Sequence, residues 1–459
     1  MNTESFLNPE QWAEQTFGQV QLQDRRRTRR AVKAAGAMVR DASASLPKQQ
    51  HTWKDLKALY RLLDEADVTF EALMQPHYQQ TQELMESEPV VLLVQDTTAI
   101  DLSHHPKTKG LGQVGNEKGR GMLLQTVLAV VPQTRAVLGC RAQKPFVRIA
   151  APVQEQRYQR RHREQRETDV WMEMVEQIGP STAAGMLVHV GDRAADMFPF
   201  VRACLSARTH FVVRATQTRS VQLAEGEIGH LLDQVRSWPS QDQRSFEVPA
   251  SHGRQGRETR LQISFGELTL LPPWNDPRGS TEALKLWGIR VWEAEAPEGE
   301  EALEWTLLTC VATDTLAQAW ERVDWYGHRW VVEEYHQCLT TGCRIEERQV
   351  QSAERLMRLV GLLSPIAVRL LQLRDLSRFA PDRPACEVIE PHTLLVLAAR
   401  TAQSPSTMTV GTFWTEVARL GGYLARRADG PPGWKTLWKG WLSLQTLVEG
   451  VHLASQLRL

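Results

Sequence analysis

The stretch Pro89-Val-Val-Leu-Leu-Val-Gln-Asp96 decides how this chain is read. Its unbroken run of β-branched and leucine residues is the pattern of a strand buried on both faces, and the run stops at an aspartate. A second run of the same kind, Met186-Leu-Val-His-Val-Gly-Asp192, also ends in aspartate, and the spacing after it predicts a helix over Ala194 to Ala207. His210-Phe-Val-Val-Arg214 reads as a further strand, and the charged, then apolar-spaced, segment Glu155 to Met174 as a helix. Strands separated by helices describe an α/β core, and open sheets place their chemistry at the carboxyl ends of strands, where both aspartates fall. An aspartate at a strand end serves equally well as a turn or helix cap, so neither is decisive alone.

Working outward, Leu123 to Val131 and Val137 to Ala142 have strand character, and the Gly-, Lys- and His-rich segment between Leu102 and Gly121 reads as a flexible surface loop. Upstream, the periodicity predicts helices over Gln11 to Phe17, Asp24 to Met38, Thr52 to Leu63 and Phe70 to Met85, with a polar break from Ser43 to Gln50. Downstream, short alternating runs between Ser220 and Glu304 suggest an antiparallel insertion, with strands at Ser245 to Ala250, Arg260 to Phe265, Leu268 to Leu271 and Leu284 to Trp292. Trp305 to Val311 reads as a strand and Thr315 to Thr341 as one long helix. After Ala353 the pattern is almost wholly helical, ending in Trp434 to Leu457, whose apolar stripe with Trp438 and Trp441 suits packing or self-association.

A chain of 459 residues is too long for one ordinary core. The expected division is a helical region over 1–70, an α/β region over 71–375 interrupted by the β-rich stretch 219–304, and a helical region over 376–459. No stretch approaches the roughly 18 uninterrupted apolar residues of a membrane helix, and the first residues lack a signal peptide's pattern, so a cytoplasmic protein with no membrane partner is expected. The six cysteines form no CxxC pair and have no ligand-spaced histidine, which leaves them as buried thiols rather than a zinc site or disulfide framework. A phosphate loop of the GxxxxGK[ST] type is absent, so no nucleotide cofactor is expected.

Lys plus Arg equal Asp plus Glu at 54 each, so affinity for nucleic acid must come from local charge if it exists. Between Arg25 and Arg61 eleven cations face only Asp41 and Asp55. Arg26, Arg27, Arg29, Arg30 and Lys33 are the candidate DNA contacts within that run, the competing reading being a solvated helix face.

Phosphoryl transfer on DNA uses two Mg²⁺ ions, one activating the attacking oxygen and one stabilising the leaving oxygen, and hard cations take carboxylate ligands. Asp96 and Asp192 could supply two of these. A third stands in Tyr326-Gly-His-Arg329-Trp-Val-Val-Glu333-Glu-Tyr-His336, where Tyr326, Arg329 and Glu333 share one helical face at i, i+3 and i+7. Such a face suits a metal beside a phosphate, since guanidinium grips phosphate bidentately; an ion pair beside a core tyrosine is the plainer alternative.

Five stretches in order resemble the DDE class of bacterial cut-and-paste transposases, specifically insertion sequence family four: Gln95-Asp96-Thr97-Thr98, Gly191-Asp192-Arg193-Ala194-Ala195-Asp196, Phe211-Val212-Val213-Arg214, Tyr326 to Glu334, and Ala418-Arg419-Leu420-Gly421-Gly422 with Trp438 to Trp441. The resemblance implies a ribonuclease-H-like core carrying a β-rich insertion, with Asp96, Asp192 and Glu333 as catalytic residues and ligands of two Mg²⁺ ions, for which Mn²⁺ should substitute. It implies nicking of transposon ends, hairpin formation and opening, and strand transfer into target DNA, on double-stranded DNA held by a homodimer. Tyr326, Arg329 and Arg214 then contact DNA, and Trp305 stacks on a base flipped out of the duplex. Where the family motif continues with a lysine about two turns after the glutamate, this chain has Thr340. A DNA-binding regulator that has lost catalysis is the rival reading, and a different metal nuclease on the same fold a third.

Overall fold

The computed structural model describes residues 9–50, 52–116, 118–149, 156, 159, 166–180, 185–223, 226–248, 256–274, 281–297, 299–426 and 432–457. The chain is mixed α/β, with a central, mostly antiparallel sheet and helices at both ends. Helices α1 (Pro9–Phe17), α2 (Arg25–Arg40), α3 (Leu46–Gln49), α4 (Trp53–Asp64) and α5 (Phe70–Met85) come first. Their starts are set by capping side chains: Asp24 accepts from the Arg26 amide at 2.8 Å and Thr52 from the Asp55 amide at 3.1 Å. The polar break after α2 contains the one-turn helix α3, with Pro47 in its first turn.

Strands β1 (Val90–Asp101), β2 (Gly112–Gln113), β3 (Arg120–Val130), β4 (Val137–Phe146), β5 (Met186–Gly191) and β6 (His210–Ala215) form the half of the sheet that matters here. β4, β3 and β1 are antiparallel neighbours; β1, β5 and β6 run parallel. Helix α6 (Asp169–Ile178) precedes β5, and α7 (Phe198–Ser206) joins β5 to β6. Only the end of the helix expected over Glu155 to Met174 is α6, and most of 155–165 lies outside the described residues.

Beyond β6 the sheet continues through β12 (Glu304–Thr309), β11 (Leu284–Glu293) and β10 (Arg257–Leu270) to the short β7 (Ser220–Gln222) and β8 (Ile228–His230), with β9 (Asp242–Val248) on β10. The two runs expected around Gly266 are therefore one fourteen-residue strand. Gly266 sits against the Trp238 ring, which a Cβ would crowd. A helix the alternation did not reveal, α8 (Leu231–Ser237), lies among these strands and packs Leu231 and Val235 inward.

After β12 come α9 (Leu316–Gly327), α10 (Trp330–Gln337), a π-turn at Cys338–Gly342, and α11 (Ala353–Phe379), followed by α12 (Pro391–Thr401), α13 (Val410–Leu420) and α14 (Trp434–Gln456). The long helix expected over Thr315 to Thr341 is thus divided. Between α9 and α10 the amides of His328, Arg329, Val331 and Val332 bond three residues back, a 3₁₀ step at Gly327 that keeps right-handed helical dihedrals at His328 and Arg329. Among the described residues one helical stretch, Ala353–Asp375, is long and apolar enough to cross a membrane, but its most apolar 18-residue window is 83% buried inside the fold. Leu356, Leu359, Leu363 and Ile366 on it are fully buried, each contributing roughly 1.5–3 kcal/mol of burial.

The segment expected to be a flexible loop is strapped down. Lys109 N donates to Gln351 O at 3.0 Å, Thr108 Oγ1 to Val350 O at 2.7 Å, and Leu102, Thr108 and Val114 are buried. Polar composition hid the strap, because its partners are backbone groups some 240 residues away.

Candidate functional site

Strand alternation assigns the faces. Leu92 and Val94 of β1 pack in the cluster that holds Val331, Val332 and Tyr335 of α10, whereas Val91 and Leu93 face Met174 and Ile178 of α6. Asp96, two residues beyond Val94, therefore projects from the face that α10 covers. The parallel register pairs Val90 with Met186 and Val94 with Val190. Continuing that register by two residues sets Asp192 beside Asp96, at about the 4.8 Å spacing of neighbouring strands. Glu333, in the first turn of α10, faces the pair from the helix layer.

Electrostatics join the three. Burial pushes the Asp96 carboxyl up to about 6, against the hydrogen bond from Thr97 N, with Asp192 and Glu333 adding to the rise and Arg329 opposing it. Asp96 does not end its strand as expected, since β1 pairs with β3 as far as Asp101; its Oδ1 accepts from Thr97 N at 2.8 Å, whereas Asp192 takes the strand-end role, its Oδ1 accepting from Ala194 N at 2.7 Å and starting a single 3₁₀ turn over Arg193–Ala195. That turn occupies the start of the expected helix, which begins only at Phe198.

Tyr326, Arg329 and Glu333 meet despite the break between α9 and α10, since a 3₁₀ step stacks residues at i and i+3. Arg329 is buried and donates to Glu333 Oε1 at 2.5 Å. Burial works against its charge, yet Glu333, Tyr326 and Asp192 outweigh that and raise its pKa. Burial also raises the Tyr326 phenol, with Arg329 and Arg214 facing it. Arg214, on β6, in addition donates to Glu304 O at 3.3 Å. The result is a half-buried constellation of three carboxylates, two guanidiniums and a phenol, of which Arg329 alone is buried. Among the described residues, no three His, Cys, Asp or Glu side chains stand close enough to hold an ion as they are arranged, and Glu333 is turned to Arg329.

Trp305 is not an open stacking surface. It is a half-buried strand residue, edge-on to Phe246 with centroids 6.4 Å apart, and its indole nitrogen is buried. The exposed aromatic at this site is Trp330, 57% accessible, with the Arg329 guanidinium 4.1 Å from its ring centroid. Its place next to Arg329 was the available signal. Thr340 lies in the π-turn and donates to His336 O at 2.9 Å. Of the thiols taken as buried, Cys310 is half-buried and Cys386 exposed.

The basic run divides into two populations. Arg27 pairs with Glu65 and Asp67, Arg30 and Lys33 share Asp55, and Arg40 meets Glu10. The two cations hold the Asp55 carboxyl far below the usual range. The Arg27, Arg30 and Lys33 pairs tie α2 to α4 and to the turn after it, and the Arg40 pair ties it to α1, so three of the five candidate contacts also serve the fold. Arg25, Arg26 and Arg29 stand exposed with no carboxylate partner among the described residues.

A family model described as transposase DNA-binding matches residues 9–68, the segment that contains α1 to α4. The match supports a transposase-related function for the chain, with DNA as a partner of this N-terminal region.

Proposed function

We propose that the chain is a DDE transposase that cuts transposon ends and joins them to target DNA through Asp96, Asp192 and Glu333. The observation that carries this is the convergence of those three carboxylates, from β1, the end of β5 and α10, behind a transposase-type DNA-binding segment. The order β4-β3-β1-β5-β6, three strands antiparallel and then two parallel, supports a ribonuclease-H-like core, and the resemblance to insertion sequence family four belongs to the same reading.

The donor set is all oxygen, which suits a hard divalent cation; burial first, and then the Asp192 and Glu333 charges, raise the Asp96 carboxyl, and a bound cation would offset both. Asp96, Asp192 and Glu333 would hold two Mg²⁺, with Glu333 exchanging Arg329 for the ion. Bound there, the metals would activate the attacking oxygen and stabilise the leaving one. Arg329, once released, and Arg214 provide guanidinium forks for the phosphates flanking the cut, and Tyr326 a phenol donor between them. Trp330 offers the open ring for an unstacked base during hairpin formation, in place of Trp305. The division into 1–70, 71–375 and 376–459, assembly as a homodimer on the ends, and a cytoplasmic site of action are part of the proposal.

Thr340, which supplies no cation where the family motif has lysine, favours the regulator reading. One assay separates the two. The full chain is incubated with DNA carrying its own element's ends, with and without Mg²⁺, beside Asp192→Ala. Magnesium-dependent nicks and hairpins that the variant loses are the expected result. End binding without cleavage would leave only the regulator.

A further inference from the structure

We infer that Thr126 and His336 are positioning residues, whose hydrogen bond fixes the separation of Glu333 from Asp96; the inference rests on the function proposed above. Thr126, on β3, is the direct cross-strand partner of Asp96 and so shares its face of the sheet. His336 lies three residues after Glu333 on α10, one helical turn along the same side. The His336 Nε2 and Thr126 Oγ1 atoms are 3.2 Å apart.

The contact closes a short circuit: Asp96 to Thr126 through the β1–β3 ladder, Thr126 to His336 through the hydrogen bond, and His336 to Glu333 through one helical turn. Each link is short and stiff. A slip of α10 by one residue would shift Glu333 by about 1.5 Å and rotate it by about 100°, and would break this bond.

Two neighbours hold the circuit in register. Gln143, the β4 partner of Thr126, donates through Nε2 to Thr126 Oγ1 at 2.9 Å and to the Tyr335 hydroxyl at 3.0 Å. Thr126, Gln143, Tyr335 and His336 are all buried. Burial pushes the His336 imidazole down to about 3, so the ring is neutral and one nitrogen can accept from the threonine hydroxyl. A patch of threonine, glutamine and histidine enclosed by Leu and Val contributes less stability than apolar side chains would, and what it supplies instead is a single register.

The test is Mn²⁺ binding by the full-length protein without DNA, read as loss of the free-ion electron paramagnetic resonance signal. Wild type is compared with Thr126→Val, His336→Phe, Thr126→Ser and Glu333→Ala, with melting curves as the fold control. Thr126→Val and His336→Phe are expected to weaken Mn²⁺ binding roughly 10-fold, the lower end of the loss seen when a group supporting a metal ligand is removed. Their melting should stay within a few degrees of wild type, and Thr126→Ser, which keeps the hydroxyl, should bind as wild type does. A folded Thr126→Val or His336→Phe that binds Mn²⁺ like wild type overturns the inference while leaving the carboxylate reading intact. If one of the two does not fold, the other decides; if neither folds, the network is a stability element and the inference is likewise overturned. A wild type that binds no Mn²⁺, or a Glu333→Ala that binds as well as wild type, overturns the carboxylate reading and this inference with it.

Discussion

Replacing Asp96 by asparagine should stabilise the metal-free protein at neutral pH. In the folded chain its carboxyl titrates near 6 rather than at 3.8, because burial and the neighbouring Asp192 and Glu333 disfavour the charge. Below the unfolded value both states are protonated and the group has no effect. As pH rises from about 4 to 6 the unfolded chain releases this proton first, so folding loses free energy, and above 6 the whole penalty is in place. Two pH units correspond to about 3 kcal/mol. Asparagine keeps the oxygen that accepts from Thr97 N and removes the charge. With roughly 2.1 cal/mol/K of unfolding entropy per residue, a 459-residue chain should melt about 3 °C higher as Asp96→Asn at pH 7.5 in EDTA, with the difference vanishing near pH 4. Calorimetry of both proteins at the two pH values measures it. A variant that melts at or below wild type at pH 7.5 would refute the claim that Asp96 carries a repelled, desolvated charge.

Arg26→Ala and Arg29→Ala should each weaken binding to duplex DNA and flatten its salt dependence by about one unit of log–log slope, whereas Arg30→Ala, whose guanidinium is held by Asp55, should change stability by no more than about 1 kcal/mol and leave the slope alone; fluorescence anisotropy at several salt concentrations reads both. Glu334→Gln removes the carboxylate that pairs with Arg135 at 2.8 Å and with the buried Arg374, and breaking such a pair should cost about 3 kcal/mol, measured by chemical denaturation. Gly440→Ala would drive a methyl into the Val417 carbonyl where α13 crosses α14 and should destabilise that junction by about 1–3 kcal/mol, visible as an earlier transition in chemical denaturation.

What could be read in advance followed from local physics. Val90 to Val94 and Leu187 to Val190 announce themselves because a strand covered on both faces is apolar at successive positions, and the aspartates that end the runs mark the edge of burial. Tyr326, Arg329 and Glu333 were found by helical spacing, which survives the 3₁₀ step because the dihedrals stay right-handed. Long-range partners were not legible. Nothing near Thr126 says that it stands opposite Asp96, since that depends on the β1–β3 register, and nothing in 102–121 says that its amides are met by residues around 351. The strand that carries Trp305 is legible, but the surroundings of its ring are not, because they depend on Phe246 and the insertion.

The neutral total charge is compatible with a DNA partner because charges farther apart than about 8–10 Å are screened from one another at ordinary salt. What a phosphate meets is a local surface. On α2 the acidic residues of the neighbouring segments take up Arg27, Arg30 and Lys33, and in doing so fix the helix against α4. Arg25, Arg26 and Arg29 remain at the exposed start of the same helix, where its backbone dipole adds partial positive charge. One basic run therefore does two things that a count of charges merges: paired arginines hold the helix in place, and unpaired ones present a rigid cationic edge. Because the helix is formed before DNA arrives, little backbone freedom is lost on binding, and the ordering cost falls on the exposed arginine side chains. It follows that Asp55→Asn, which removes one negative charge and releases Arg30 and Lys33, should steepen the salt dependence of duplex binding in the same anisotropy titrations while costing about 1 kcal/mol of stability at most.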